Sequence, residues 1–213
     1  MNAVSATALS AIFAPNPLMV ILRGMGPQES VRLAGIAWET GINVIEITLQ
    51  SPEDVETLEA VVEAAKDWKT AVVGAGTVTR SADVKDAVTA GAAFTVSPGL
   101  DFDIVGKSES AGLPSIPGVS TPTEVHSAVK SGLTWLKAFP AIHLGTEWFK
   151  TIRGPFPEAQ FIATGGLRVA DVTPLRAAGV RTVALGSALS NPEELAELPA
   201  LVKQLMSESL TIR

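Results

Sequence analysis

Short apolar runs punctuate the chain at fairly even intervals: Leu18–Leu22, Val44–Thr48, Ala71–Ala75, Phe94–Ser97, Ser115–Pro117, Trp135–Ala138, Phe161–Ala163 and Thr182–Leu185. Each has the length of a strand, and the segments between them carry apolar residues at helical spacing. The helices signal their own ends. Pro27–Thr40 stops at Gly41, a residue suited to the left-handed turn after a helix. Ser51-Pro52-Glu53-Asp54 offers an N-cap serine, a first-turn proline and two acids facing the helix dipole. Ser81-Ala82-Asp83 and Thr121-Pro122-Thr123-Glu124 open two more helices, the second in the pattern of a capping box. Gly91, Gly132 and Gly179 repeat the stop signal, and Glu193–Ser209 forms the last helix. Leu9, Ile12 and Phe13 predict a short helix that closes one end of the domain.

Eight strands alternating with eight helices is the count of a closed parallel barrel. The alternative, an open doubly wound sheet, usually has about five or six strands. The pattern therefore predicts an α/β fold, a (β/α)8 TIM barrel with a short N-terminal helix. Residues 1–16 form the helical cap and 17–213 a single barrel domain, with no linker or low-complexity segment.

Barrels of this kind carry their chemistry where strands end and loops to helices begin. The polar residues gather at those exits: Arg23-Gly24, Glu46 and Thr48, Gly76-Thr77, Ser97-Pro98-Gly99, Pro117-Gly118-Val119-Ser120, Lys137 with Phe139-Pro140, Thr164-Gly165-Gly166, and Gly186-Ser187. Two of them are costly where the pattern puts them. Lys137 stands in an apolar strand, where desolvation disfavours an ammonium. A neutral amine beside a carbonyl is a Schiff-base nucleophile. The competing reading is a strand-end lysine that snorkels to water.

Glu46 follows from strand parity. In Val44-Ile45-Glu46-Ile47-Thr48-Leu49, alternate side chains share a face. Ile45, Ile47 and Leu49 should meet the helices, which turns Val44, Glu46 and Thr48 into the barrel. An inward carboxylate is costly without a partner. It is either half of a structural ion pair or a general acid/base. Lys137 is the obvious neighbour in both cases. The last two exits, Thr164-Gly165-Gly166 and Gly186-Ser187, suggest a phosphate cradle, because glycines let backbone N–H groups approach an anion.

Composition narrows the partners. The chain is 46% apolar, enough for a large core and a buried subunit interface. A net charge of −6 argues against nucleic acid, so any phosphate must be held by local groups. There is no cysteine, and the two histidines, His126 and His143, lack ligand spacing, so neither metal nor another cofactor is called for. No apolar run reaches membrane-spanning length and the start lacks the basic residues of a signal peptide, which makes a cytoplasmic location the default.

The ordered segments Ile45-Glu46-Ile47-Thr48-Leu49, Gly74-Ala75-Gly76-Thr77-Val78, Ser97-Pro98-Gly99-Leu100, Pro117-Gly118-Val119-Ser120-Thr121, Leu136-Lys137-Ala138-Phe139-Pro140, Gly154-Pro155-Phe156-Pro157, Thr164-Gly165-Gly166 and Gly186-Ser187-Ala188-Leu189 resemble one family. It comprises the aldolases that cleave 2-keto-3-deoxy-6-phosphogluconate, its galactonate epimer and 4-hydroxy-2-oxoglutarate. The resemblance runs from about Pro17 to the C-terminus. It implies a metal-free barrel aldolase, usually a homotrimer, acting on a small keto-acid phosphate. It implies that Lys137 is the Schiff-base lysine and Glu46 the acid/base. It places Thr77 and Pro98 beside the pyruvate moiety with Phe139 nearby, and Gly165, Gly166 and Ser187 on the phosphate.

One departure matters: many gluconate-type members have Thr-Leu-Arg where this chain has Thr48-Leu49-Gln50. Arg23 can replace the missing charge toward the substrate carboxylate. Two rival functions share the architecture. One is a phosphosugar isomerase or thiazole/pyrimidine-type phosphate enzyme, with Glu46 as base. The other is a non-catalytic protein that binds a phosphorylated ligand.

Overall fold

The computed structural model describes residues 3–186 and 188–211. A first helix, α1 (Ala3–Phe13), precedes an alternation of strands and helices. The first half runs β1 (Leu18–Leu22), α2 (Gly26–Thr40), β2 (Val44–Thr48), α3 (Pro52–Ala65), β3 (Val72–Gly76), α4 (Ser81–Thr89), β4 (Thr95–Val96) and α5 (Phe102–Ser110). The second half runs β5 (Ser115–Ile116), β6 (Gly118–Val119), α6 (Pro122–Lys130), β7 (Trp135–Ala138), α7 (Ala141–Ile152), β8 (Gln160–Ala163), α8 (Val172–Ala177), β9 (Thr182–Leu185) and α9 (Pro192–Thr211).

Every strand pair is parallel, in the order β5-β4-β3-β2-β1-β9-β8-β7-β6. One end of that order, β5, is the start of the expected strand Ser115–Pro117; the other, β6, takes up Gly118–Val119, expected as its exit loop, directly after Pro117. Proline has no N–H to give the ladder, so it splits the strand. Its carbonyl still accepts from Lys137 N at 2.9 Å. The ring thus closes with the barrel count of eight. Strand limits differ slightly from expectation: β3 spans Val72–Gly76 rather than Ala71–Ala75, β4 only Thr95–Val96, β5 stops at Ile116, and β8 starts at Gln160.

Strand alternation produces two apolar layers. Ile45, Ile47 and Leu49 join Val20, Leu22, Leu136 and Phe161 between the barrel and its helices. Met19, Val44, Phe94, Val96, Ile116, Trp135, Ile162 and Ala184 fill the interior instead. Leu9 and Phe13 of α1 belong to this inner layer, so α1 plugs the end where the strands begin. The Phe13 ring meets Phe94 edge-on at 5.1 Å, and Trp135 Nε1 donates to Ser10 Oγ at 3.1 Å. Burying each of these two α1 side chains contributes about 1.5–3 kcal/mol. The plug leaves the opposite end, where the strands finish, open for chemistry.

The capping signals behave as local chemistry requires. The Asp54 carboxylate accepts from Ser51 N at 2.8 Å, and Glu124 accepts from Thr121 N at 2.9 Å. At α4 the cap position is Arg80 rather than Ser81, because Asp83 accepts from Thr79 N and Arg80 N.

Candidate active site

Lys137 lies near the middle of β7, in register with Gly118 on one side and Ile162 on the other. Ile162 and Trp135 point inward, and Lys137 shares their face. The residue is only 3% exposed. Its Nζ is 3.8 Å from Oε1 of Glu46, which is fully buried on the inner face of β2. That is an ionic contact, longer than a hydrogen bond. Nζ also lies 5.1 Å from the centre of the Phe139 ring, within cation–π range.

Among the described residues, both carboxylate oxygens of Glu46 are buried without a hydrogen-bond partner, as are the hydroxyls of Thr48 and Thr164. Buried polar atoms are nearly always paired, so these orphans need a reason. All four sit on inward faces toward the finishing ends of β2 and β8. A polar ligand entering there would supply the missing partners.

The neighbouring strand is cleared to admit Glu46. A Cβ on Gly76 would stand 1.9 Å from Glu46 Oε1, and one on Gly74 would stand 2.3 Å from the Phe94 ring. The inner face of β3 is therefore bare because its neighbours fill it. Gly118 is similar: a Cβ there would be 2.2 Å from the carbonyl oxygen of Pro98.

Above the lysine lies a cleft of about 470 Å3. Of the residues that the sequence singles out, Arg23, Lys137, Phe139, Thr164, Gly165, Gly166 and Gly186 line it. Ile21, Met25, Leu167 and Ser190 line it too, and the sequence reading missed them. Ile21 was accessible to the parity argument, since it shares a face with Met19. The other three lie on loops with no periodic signal. Ser187 falls outside the described residues. Thr77 and Pro98 do not line this cleft; they occupy the adjacent loops that follow β3 and β4. Thr77 has φ of +58°, a left-handed conformation that costs a β-branched residue about 1–3 kcal/mol. Bonds on both sides hold it, Leu49 N to Gly76 O at 2.8 Å and Val78 N to Val96 O at 3.1 Å.

The glycine loop is built for close approach. Gly165 and Gly166 have φ of +99° and +73°, which side chains rarely tolerate. Backbone bonds from Ala141 N to Thr164 O (2.7 Å) and Ile142 N to Gly165 O (3.2 Å) stitch it to the first residues of α7. Glu194 of α9 anchors the loop's far side by accepting from Arg168 Nε and Val169 N. Arg23 is exposed, and its Nη1 donates to Gln50 Oε1 at 2.6 Å. His143 is exposed on α7 and is not part of the cleft lining. Among the described residues, no three His, Cys, Asp or Glu side chains gather as a metal site.

The comparisons with known proteins agree with this geometry. A family model described as KDPG and KHG aldolase matches residues 10–200. A probable 2-dehydro-3-deoxy-6-phosphogalactonate aldolase of Rhizobium meliloti is 36% identical over 177 residues, 83% of this chain and 82% of its own. The KHG/KDPG aldolase of Escherichia coli is 31% identical over 166 residues, 78% of this chain and 76% of its own. A KDPG aldolase structure from Legionella pneumophila, with pyruvate captured as a covalent carbinolamine, superposes with a TM-score of 0.78. It is 28% identical, over 93% of this chain and 96% of that one. The barrel with its buried lysine and glutamate therefore belongs to the KDPG and KHG aldolase family.

Proposed function

We propose that this aldolase works through a Schiff base on Lys137, with Glu46 moving the protons. The observation that carries the reading is the Lys137–Glu46 contact at 3.8 Å, buried beneath an open cleft. Its substrate is a 2-keto-3-deoxy-6-phospho sugar acid of gluconate or galactonate type, the class named for its relatives. The non-phosphorylated 4-hydroxy-2-oxoglutarate is a second substrate.

The unprotonated Lys137 amine adds to the C2 carbonyl, and loss of water gives an iminium. Glu46 then takes the C4 hydroxyl proton. The C3–C4 bond breaks, its electron pair flows to the iminium nitrogen, and glyceraldehyde 3-phosphate leaves. The remaining enamine takes the proton back from Glu46 at C3. Water hydrolyses the resulting iminium, releasing pyruvate and the free lysine. Such general acid–base help is typically worth about 10²–10⁴-fold.

Arg23, held by Gln50, serves the substrate carboxylate in place of the arginine missing at position 50. Thr77 and Pro98 flank the pyruvate moiety from the adjoining loops, and Phe139 packs beside it. Thr164, Gly165, Gly166, Gly186 and Ser187 receive the phosphate, anchoring the substrate so that binding energy positions the reacting bond. The active species is a homotrimer in the cytoplasm, which a solution mass of three chains would bear out.

The deciding assay measures pyruvate release from each of the two phosphorylated epimers and from 4-hydroxy-2-oxoglutarate. Release from at least one phosphorylated epimer is expected. No release from any of the three would contradict the reading.

A further inference from the structure

A second polar cleft, of about 210 Å3, opens on the face of the barrel opposite the lysine. It sits where β8 and β9 begin, beside Gln160 and Arg181. Four residues of strand separate Gln160 from Thr164 in the aldolase cleft, about 13 Å at 3.3 Å per residue. Arg153, Arg176 and Arg181 line this cleft, and among the described residues no carboxylate does.

The fold holds the three guanidinium groups in place. Arg176 ends α8, and its Nη1 donates to the carbonyls of Val180 (2.9 Å) and Arg181. Arg181 Nε donates to Gln160 Oε1 at 2.6 Å. Arg153 follows α7 and lies across Gly179, where a Cβ would come within 1.9 Å of its Nη1. Glycine at 179 thus makes room for the guanidinium. Among the described residues, the Arg153 guanidinium has no hydrogen-bond or ion-pair partner. The Gly154–Pro157 turn, which no step of the aldol chemistry uses, contributes Pro157 to the wall.

Like charges sharing a small cleft, as those of Arg153 and Arg181 do, repel one another unless an anion joins them. The chain as a whole carries a net charge of −6, so general basicity does not account for the cluster. Guanidinium forks match phosphate oxygens in geometry as well as in charge. We propose that this cleft is a second anion site, separate from the aldolase cleft, that takes a small soluble molecule bearing a phosphate or diphosphate group. Its volume is less than half that of the aldolase cleft, which suits a compact anion rather than a polymer.

Pyrophosphate is the probe. Calorimetric titration of the whole protein should resolve two classes of site, one of them in the aldolase cleft. Arg153→Ala/Arg181→Ala should weaken the other class on the order of a hundred-fold, because two charge-assisted contacts are lost. Its kcat/KM for pyruvate release should match the parent. Arg153→Gln alone, at an exposed side chain, gives the same test with a smaller loss if the double variant does not fold. Unchanged pyrophosphate binding in the variants overturns the proposal. A lower solution mass for the variants also overturns it, because the arginines would then serve a subunit contact.

Discussion

Lys137 and Glu46 reach each other across the barrel interior from β7 and β2, with Nζ and Oε1 3.8 Å apart. Among the described residues the carboxylate has no hydrogen-bond partner, so substrate must complete its environment. Glu46→Gln should keep the fold and still condense with pyruvate, though slowly. Turnover should fall on the order of a hundred- to ten-thousand-fold. Exchange of the pyruvate methyl protons reports this step, and exchange at the parent rate would remove Glu46 from the role.

Gly76 tests whether placement of that carboxylate matters. Gly76→Ala puts a Cβ 1.9 Å from Glu46 Oε1 and must push it aside. A misplacement of about 1 Å costs on the order of a hundred-fold in rate. Gly35→Ala is the control: it lies inside α2 with nothing within 4 Å of the new Cβ. It should add about 0.5–1 kcal/mol of stability and leave kcat alone. Steady-state kinetics with urea unfolding separates the two outcomes.

The phosphate cradle is tested at Ser187. Ser187→Asp sets a negative charge against the phosphate while leaving the lysine chemistry untouched. Like-charge repulsion should lower kcat/KM selectively for the phosphorylated substrates. Cleavage of 4-hydroxy-2-oxoglutarate should stay near the parent value. Equal losses for both substrate kinds would assign Ser187 to the reacting end or to the fold.

Glu124 gives a pH-dependent stability prediction. The Ser120 N–H, 2.8 Å from its carboxylate, holds the group below the ordinary carboxylate range; burial opposes this, and Thr121 adds to it. A depressed folded value stabilises the protein above the unfolded value of about 4.3 and stops doing so as pH falls through the folded value. Glu124→Gln should therefore cost about 1 kcal/mol at neutral pH. The gap between parent and mutant should close on acidification in urea melts. A gap independent of pH would show that the cap does not depend on the charge.

Much of this was legible because it is periodic or local. Parity alone turns Glu46 inward and Ile45 outward, and α3 and α6 declare their caps within four residues. Lys137 stood out because a charge interrupts an apolar strand. What escaped the sequence is non-local. That Gly76 is bare for the sake of Glu46 depends on the β2–β3 register, which places Thr48 opposite Gly76. The Arg23–Gln50 bond joins loops 27 residues apart. Met25, Leu167 and Ser190 enter the cleft through loop conformation, which no hydrophobic period encodes. The arginine cleft gathers residues from the α7–β8 connection, α8 and the α8–β9 connection, and no single segment announces it.

The central claim is that Lys137 carries the covalent intermediate. Incubation with pyruvate and borohydride, then digestion and mass spectrometry, should find one reduced pyruvate adduct, on the peptide containing Lys137. Lys137→Arg should give none and lose cleavage, because a guanidinium is effectively never deprotonated. An adduct on another lysine, or no adduct while cleavage proceeds, would contradict the account.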